Sequence, residues 1–385
     1  MQLTLKRSVY LKIFFVTIFT TLGITDAQEN GTEVTYPYTN TTCSIPGGLC
    51  KCISRYYPSI TVICPVLRSI LEMNEIPYIP PEYGNNTRGF IMEGVSVNLR
   101  TSITTLSSTS LKTFIKLDFL VIRYTKLSSL DSQVFLPCKN TLRQIDLSYN
   151  QISSLSTGIF NYVPNLESLY LSNNGLTTLD GTGIGVFSKI INFDISYNKI
   201  SKLPAEFRTK FLFQSSATLK MLNLSYNSLI ISGTEFYSDT GQNMVTNLIG
   251  LGLASCGIQD SSTASSDTFF NQLIGLKELD FSYNALTDAL WYTFNRAFPK
   301  LSSRQLIPYG DYNDNEDDSG SSDSGPALKV LLVKGNNFES IRELSLTTFP
   351  KLEVIDLSNN SISYVVSDAL NGILSTVDKQ PMLLI

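Results

Sequence analysis

The chain has 385 residues, 43% hydrophobic and 16% charged, a balance that supports a folded core and excludes a disordered polyelectrolyte. Its 29 Lys and Arg against 33 Asp and Glu give a formal charge of −4 with no strongly basic stretch, so nothing points to nucleic acid. Histidine is absent, which removes the commonest general base, His-activated nucleophiles and imidazole metal ligands together.

At the N-terminus Lys6, Arg7 and Lys12 lead into an apolar run over residues 13–24, followed by the small residues Thr25 and Ala27. That order reads as a secretory signal over residues 1–27. Its apolar core falls well short of the ~20 residues of a spanning helix. With no later apolar stretch of spanning length, the expectation is a secreted or cell-surface chain with no transmembrane span. A polar tail occupies residues 28–42. Glycosylation sequons at Asn30, Asn40, Asn85, Asn223 and Asn359 agree with export.

Residues 43–90 carry Cys43, Cys50, Cys52 and Cys64 in the spacing C-x6-C-x-C-x11-C. Zinc is the competing use of clustered thiols, but secretion and the lack of a second C-x-x-C pair argue for disulfides, with three pairings open. No metal and no cofactor is expected.

From residue 91 to the end one pattern, LxxLxLxxNxL, recurs. The copies are LDFLVIRYTKL from Leu117, LRQIDLSYNQI from Leu142, LESLYLSNNGL from Leu166, IINFDISYNKI from Ile190 and LKMLNLSYNSL from Leu219. LIGLGLASCGI from Leu248, LKELDFSYNAL from Leu276, LKVLLVKGNNF from Leu328 and LEVIDLSNNSI from Leu352 complete nine. Steps are 24 to 29 residues except one of 52, where a degenerate copy beginning at Leu301 fits. A weak copy beginning at Met92, with Val95 and Val97 at apolar positions, brings the expected total to about eleven.

A short strand alternates its faces, so positions 4 and 6 point inward while 3, 5 and 7 point outward. The Asn at position 9 ends the strand, and its amide can satisfy backbone groups of neighbouring coils. Each coil's four or five aliphatic side chains, worth ~1.5–3 kcal/mol apiece on burial, are shielded only when coils stack. Phe135, Phe160 and Phe294, each 18 residues after a repeat start, should form a second row of core on the convex side. The expected fold is an α/β solenoid of 10–11 repeats, with a parallel concave sheet and an irregular, short-helical convex side.

These copies and the cysteines before them resemble the extracellular leucine-rich-repeat proteins of animals, including Toll-like receptor ectodomains and adhesion and matrix proteins. The resemblance implies a horseshoe with an N-terminal cysteine cap, although the first two cysteines are more widely spaced here than is usual. By that resemblance the first cysteine pairs with the third and the second with the fourth, giving Cys43–Cys52 and Cys50–Cys64. Cys138 and Cys256 stand about five coils apart, ~24 Å at ~4.8 Å per strand, too far to bond, and are expected as free structural thiols.

The insert over residues 309–326 holds Asp311, Asp314, Glu316, Asp317, Asp318 and Asp323 but lacks the order of a calcium loop, so it reads as a solvated segment. The last residues, PMLLI, fall where another strand would begin, and an uncapped end would favour self-association.

Function is expected on the concave face. Outward positions carry Asp146, Asp194, Asp280 and Asp356, with Tyr170 in place of one Asp, and position 8 carries Tyr124, Tyr149, Tyr197, Tyr226 and Tyr283. Tyrosine supplies contact area at low entropic cost, so these residues form the candidate surface for an extracellular protein or glycan. A hydrolase built on the Asp column is disfavoured, because the carboxylates are spread one per strand. The expected role is a non-catalytic recognition or adhesion scaffold, with the ectodomain of a signalling receptor as the alternative.

Overall fold

The computed structural model describes residues 42–44, 50–56, 59–64, 75–94, 101–229, 236, 247–259, 275–291, 327–341, 349, 351–365 and 382–384. The signal segment, Asn30, Asn40, Phe294, Leu301 and the acidic insert lie outside them.

Among the described residues sixteen strands follow in chain order: β1 (Thr42–Ser44), β2 (Lys51–Tyr56), β3 (Ser59–Cys64), β4 (Thr87–Glu93), β5 (Thr105–Leu106), β6 (Phe119–Arg123), β7 (Ser129–Leu130) and β8 (Gln144–Asp146). They continue as β9 (Ser168–Tyr170), β10 (Asn192–Asp194), β11 (Met221–Asn223), β12 (Gly250–Gly252), β13 (Glu278–Asp280), β14 (Val330–Leu332), β15 (Val354–Asp356) and β16 (Met382–Leu384). Fourteen form one sheet in sequence order, and β5 pairs with β7 in a separate ribbon. β2 runs antiparallel to β1 and β3, and every neighbour pair from β3–β4 onward is parallel. A parallel sheet in strict chain order is a solenoid, each coil stacking only on its neighbours.

The nine copies supply β6 and β8 to β15. Positions 4 and 6 point inward: Ile145, Leu147, Leu169, Leu171, Leu222 and Leu224 are all 0–1% exposed. On the convex side short 3-10 turns, such as Ile159–Tyr162 and Ile184–Val186, return the chain. Phe135 and Phe160 stack there at 6.5 Å, as expected, and the row continues through Phe187 and Phe211 at 5.4 and 6.3 Å.

The Asn ladder is also present. Asn198 Oδ1 accepts from the Leu176 N–H at 3.0 Å, and its Nδ2 donates to the Leu171 and Ile195 carbonyls at 2.9 Å. Asn150, Asn174, Asn227, Asn284, Asn336 and Asn360 bridge neighbouring coils in the same way. Cys256 holds one rung, with its Sγ 3.5 Å from the Leu224 and Ala254 carbonyls.

Two expectations about the repeats change. In the 52-residue step no strand comes between β13 and β14 in the sheet, because Glu278, Leu279 and Asp280 pair directly with Val330, Leu331 and Leu332; the copy expected at Leu301 itself lies outside the described residues. The weak copy does exist, but its register starts at Thr87. Phe90 and Met92 lie opposite Leu120 and Ile122, and Thr101 is bridged to Thr125 at position 9. Thr101 follows Met92 by nine residues where Thr125 follows Ile122 by three, and Met92 itself takes the position expected for Val97. The parallel ladder accordingly starts ahead of the boundary expected at residue 91.

At the N-terminal end Cys50 and Cys64 are bridged, with S–S 2.05 Å. Cys52 is also disulfide-bonded, and Cys43 sits directly opposite it in the β1–β2 register, although the Cys43 side chain lies outside the described atoms. Cys138 and Cys256 are free and buried. Burial pushes both thiols up to about 12, which leaves them protonated and unreactive. β16 extends the ladder beyond β15.

Candidate functional site: the concave sheet and its tyrosine rim

The Asp column is turned onto its own strands. Asp146, Asp194, Asp280 and Asp356 each accept, through Oδ1, the N–H of the Ser two residues on, at 3.0, 2.8, 2.9 and 2.9 Å. These are local Asx-type turns, and Asn223 makes the same closure onto Ser225 at 3.2 Å. Asp146, Asp194 and Asp356 are buried and Asp280 is half-buried. Desolvation holds the Asp194 carboxyl up at about 6, against hydrogen bonds from Ser196 and Asn223 that lower it. Asp280 is raised for the same first reason, and Asp356 adds to it by repulsion. Tyr170, between Asp146 and Asp194, is buried and raised mainly by desolvation.

Position 8 behaves differently. All nine coils place this residue in the left-handed region, with φ from 51° to 66°. Gly335, Asn173, Asn359 and Ser255 fill four of these sites, and tyrosines fill the other five. Glycine and asparagine enter this region at low cost, and a bulky side chain does not. The rings lie along the rim where the strands end. Tyr124 stacks on Tyr149 with centroids 4.6 Å apart, and Tyr197 on Tyr226 at 4.3 Å. Tyr226 also meets Tyr283 at 6.0 Å, two coils away. Tyr197 and Tyr283 remain 40% and 43% exposed.

Several side chains that the repeat pattern does not single out join the surface. Arg123 occupies position 7, where most copies have Ser; its guanidinium meets Glu93 at 2.6 Å and Asp146 at 3.5 Å. Glu93 was hidden because its strand was placed in the wrong register. Ile63, Ile91 and Val121, with Phe119 against them, make a small apolar cluster on the first three parallel strands. The Leu248 coil, with Gly250, Gly252, Ala254 and Ser255 outward, reads from sequence as a shallow gap. The gap is covered: a Cβ on Gly250 would lie 2.3 Å from Met221 Cε, and one on Gly252 2.4 Å from Asn223 Oδ1.

Asn85 and Asn359 are exposed, whereas Asn223 is half-buried and holds the Ser225 N–H. Among the described residues no group of three or more acidic, Cys or His side chains is placed to hold a metal, and no helix is long and apolar enough to cross a membrane.

Two family models, both described as leucine-rich repeat, match residues 140–200 and 351–373. The chain is a leucine-rich-repeat protein. Fibromodulin of Sus scrofa is 27% identical over 150 residues, 39% of this chain and 90% of its own length. Tsukushi-A of Xenopus laevis is 35% identical over 143 residues, 37% of this chain and 35% of its own. Adenylate cyclase of Schizosaccharomyces pombe is 27% identical over 246 residues, which is 62% of this chain but 12% of the cyclase. This leucine-rich-repeat protein therefore spans a small part of the cyclase and about a third of Tsukushi-A. Most of its leucine-rich-repeat relatives are extracellular matrix, adhesion or receptor proteins, and the family is typically one of non-catalytic binding scaffolds.

Proposed function

We propose that this protein is a secreted or cell-surface recognition scaffold, without catalysis, that binds a protein or glycan partner through its curved sheet and tyrosine rim. The observation that carries the reading is the rim itself. Five tyrosines accept a backbone conformation that Asn, Ser or Gly fills in the other coils, and they keep ring edges exposed in two stacked groups. A non-glycine residue in this region costs on the order of 1 kcal/mol, and such strain collects at binding surfaces. Export is supported by the N-terminal charge and apolar pattern, by the Cys50–Cys64 bridge and by the extracellular relatives. N-linked glycans belong on exposed Asn85 and Asn359, the second a rim position two coils beyond Tyr283.

The test uses the full chain made in a secretory host and immobilised against extracellular fluid, with bound partners identified and titrated. The double variant Tyr197→Asn/Tyr283→Asn keeps a residue suited to the backbone and removes two exposed rings. Partner affinity should fall at least tenfold. Unchanged affinity with an intact fold would remove the rim from the binding surface.

A further inference from the structure

The rim holds two tyrosine groups, each beside a position-5 carboxylate, and they differ in one respect. In the first, Tyr124 and Tyr149 stack next to Asp146, and the chain supplies its own cation: Arg123 Nη1 lies 3.5 Å from Asp146 Oδ2. In the second, Tyr197, Tyr226 and Tyr283 gather at centroid distances of 4.3 and 6.0 Å. The Tyr197 and Tyr226 hydroxyls interact, and both are raised first by desolvation and then, among other causes, by the charge of Asp280. Asp280 belongs to the same coil as Tyr283 and gives one oxygen to the Ser282 N–H. Among the described residues no lysine or arginine forms an ion pair with Asp280, whereas Glu278 beside it, its Oε2 without a hydrogen-bond partner, is attracted by the adjacent Lys277. The coil between Tyr226 and Tyr283 bears only Ser255 and Gly252 at the matching positions, so no bulky side chain of that coil covers the cluster.

We propose that the Tyr197, Tyr226, Tyr283 and Asp280 cluster receives an arginine side chain from a partner protein, the counterpart of the Arg123 already present at the first cluster. The choice rests on charge complementarity: the Asp280 carboxylate, with no cation paired to it among the described residues, lies beside aromatic rings. A guanidinium stacks on tyrosine and pairs side-on with a carboxylate, which an ammonium does less well. The proposal depends on the reading of the rim as the partner-binding surface and adds the chemistry of the partner.

The probe is a blocked peptide of alternating arginine and glycine, titrated calorimetrically into the full chain, with citrulline- and lysine-substituted versions alongside. Binding of the arginine peptide should weaken at least tenfold with citrulline and severalfold with lysine. Asp280→Asn and Tyr226→Asn should each cost at least tenfold. Both suit their sites, since Asn223 closes the same turn as Asp280, and Asn173 shares the backbone conformation of Tyr226. Glu353→Gln removes an equal charge from an exposed pair with Lys329, away from the rim, and should leave binding unchanged. The proposal is overturned if citrulline binds as well as arginine, if Asp280→Asn and Tyr226→Asn bind normally, or if Glu353→Gln weakens binding equally. Loss of peptide binding alongside retained, rim-dependent capture of a natural partner would defeat this inference and leave the broader function standing.

Discussion

At position 9 an asparagine side chain is drawn inside and used by backbone groups of its own coil and of the coil before it. One residue earlier, at position 8, the side chain is held out on the rim by a left-handed backbone. Asn198 makes two hydrogen bonds to the coil before and one within its own coil and is 8% exposed, whereas Tyr197 is 40% exposed and touches chiefly another tyrosine. The stacking of coils explains the first in full. It demands only the backbone angle at the second, so stacking leaves the choice of tyrosine there unexplained.

Breaking the ladder should have the largest effect. Asn198→Ala strands one N–H and two carbonyls, at ~1–3 kcal/mol for each buried unsatisfied group. A loss of about 3 kcal/mol or more is expected in urea unfolding, and a loss under ~1 kcal/mol would show that the rungs are dispensable. Next comes Asp194. Its carboxyl is raised to about 6 in the folded chain against an ordinary value of 3.8, so the native state holds the proton more tightly than the unfolded state. The stability this contributes is fully present below pH ~4 and is lost as pH rises through 6, a fall of about 2–3 kcal/mol. Asp194→Asn should flatten that part of the pH profile, since Asn223 shows that an amide closes the same turn. An unaltered profile would place the titration elsewhere.

A smaller effect is expected where the ladder is already imperfect. Cys256→Asn restores a rung beside the Leu224 carbonyl and should add about 1 kcal/mol. A destabilised variant would mean that the pocket has closed around sulfur. The smallest stability change belongs to the rim. In Tyr283→Asn, relief of backbone strain and loss of ring contact, each on the order of 1 kcal/mol, nearly cancel. Its urea midpoint should scarcely move while partner affinity falls, and a large loss of stability would return the rim to a structural role.

The stacking of coils was legible in the sequence because nine copies state the inward positions outright. The errors arose where spacing or residue type broke step. Thr87 stands where an apolar residue begins other copies, and the residues inserted before Thr101 displaced the apparent register to Met92. Phe187 and Phe211 fall 21 residues after their repeat starts and so escaped a count of 18. The positions of the rim tyrosines were readable, but their positive φ was not, because tyrosine is a common strand residue. The grouping of Tyr226 with Tyr283 depended on a serine in the coil between them, a contact that no single repeat reveals. Arg123 appeared only as an irregularity at a position usually held by serine.

The direct pairing of β13 with β14 also bears on how this gene can change. No strand of the main sheet comes between the two, so this 52-residue step carries the sheet forward by one strand, as the 24-residue steps do. Repeat length can therefore change over generations without a change in which strands are neighbours.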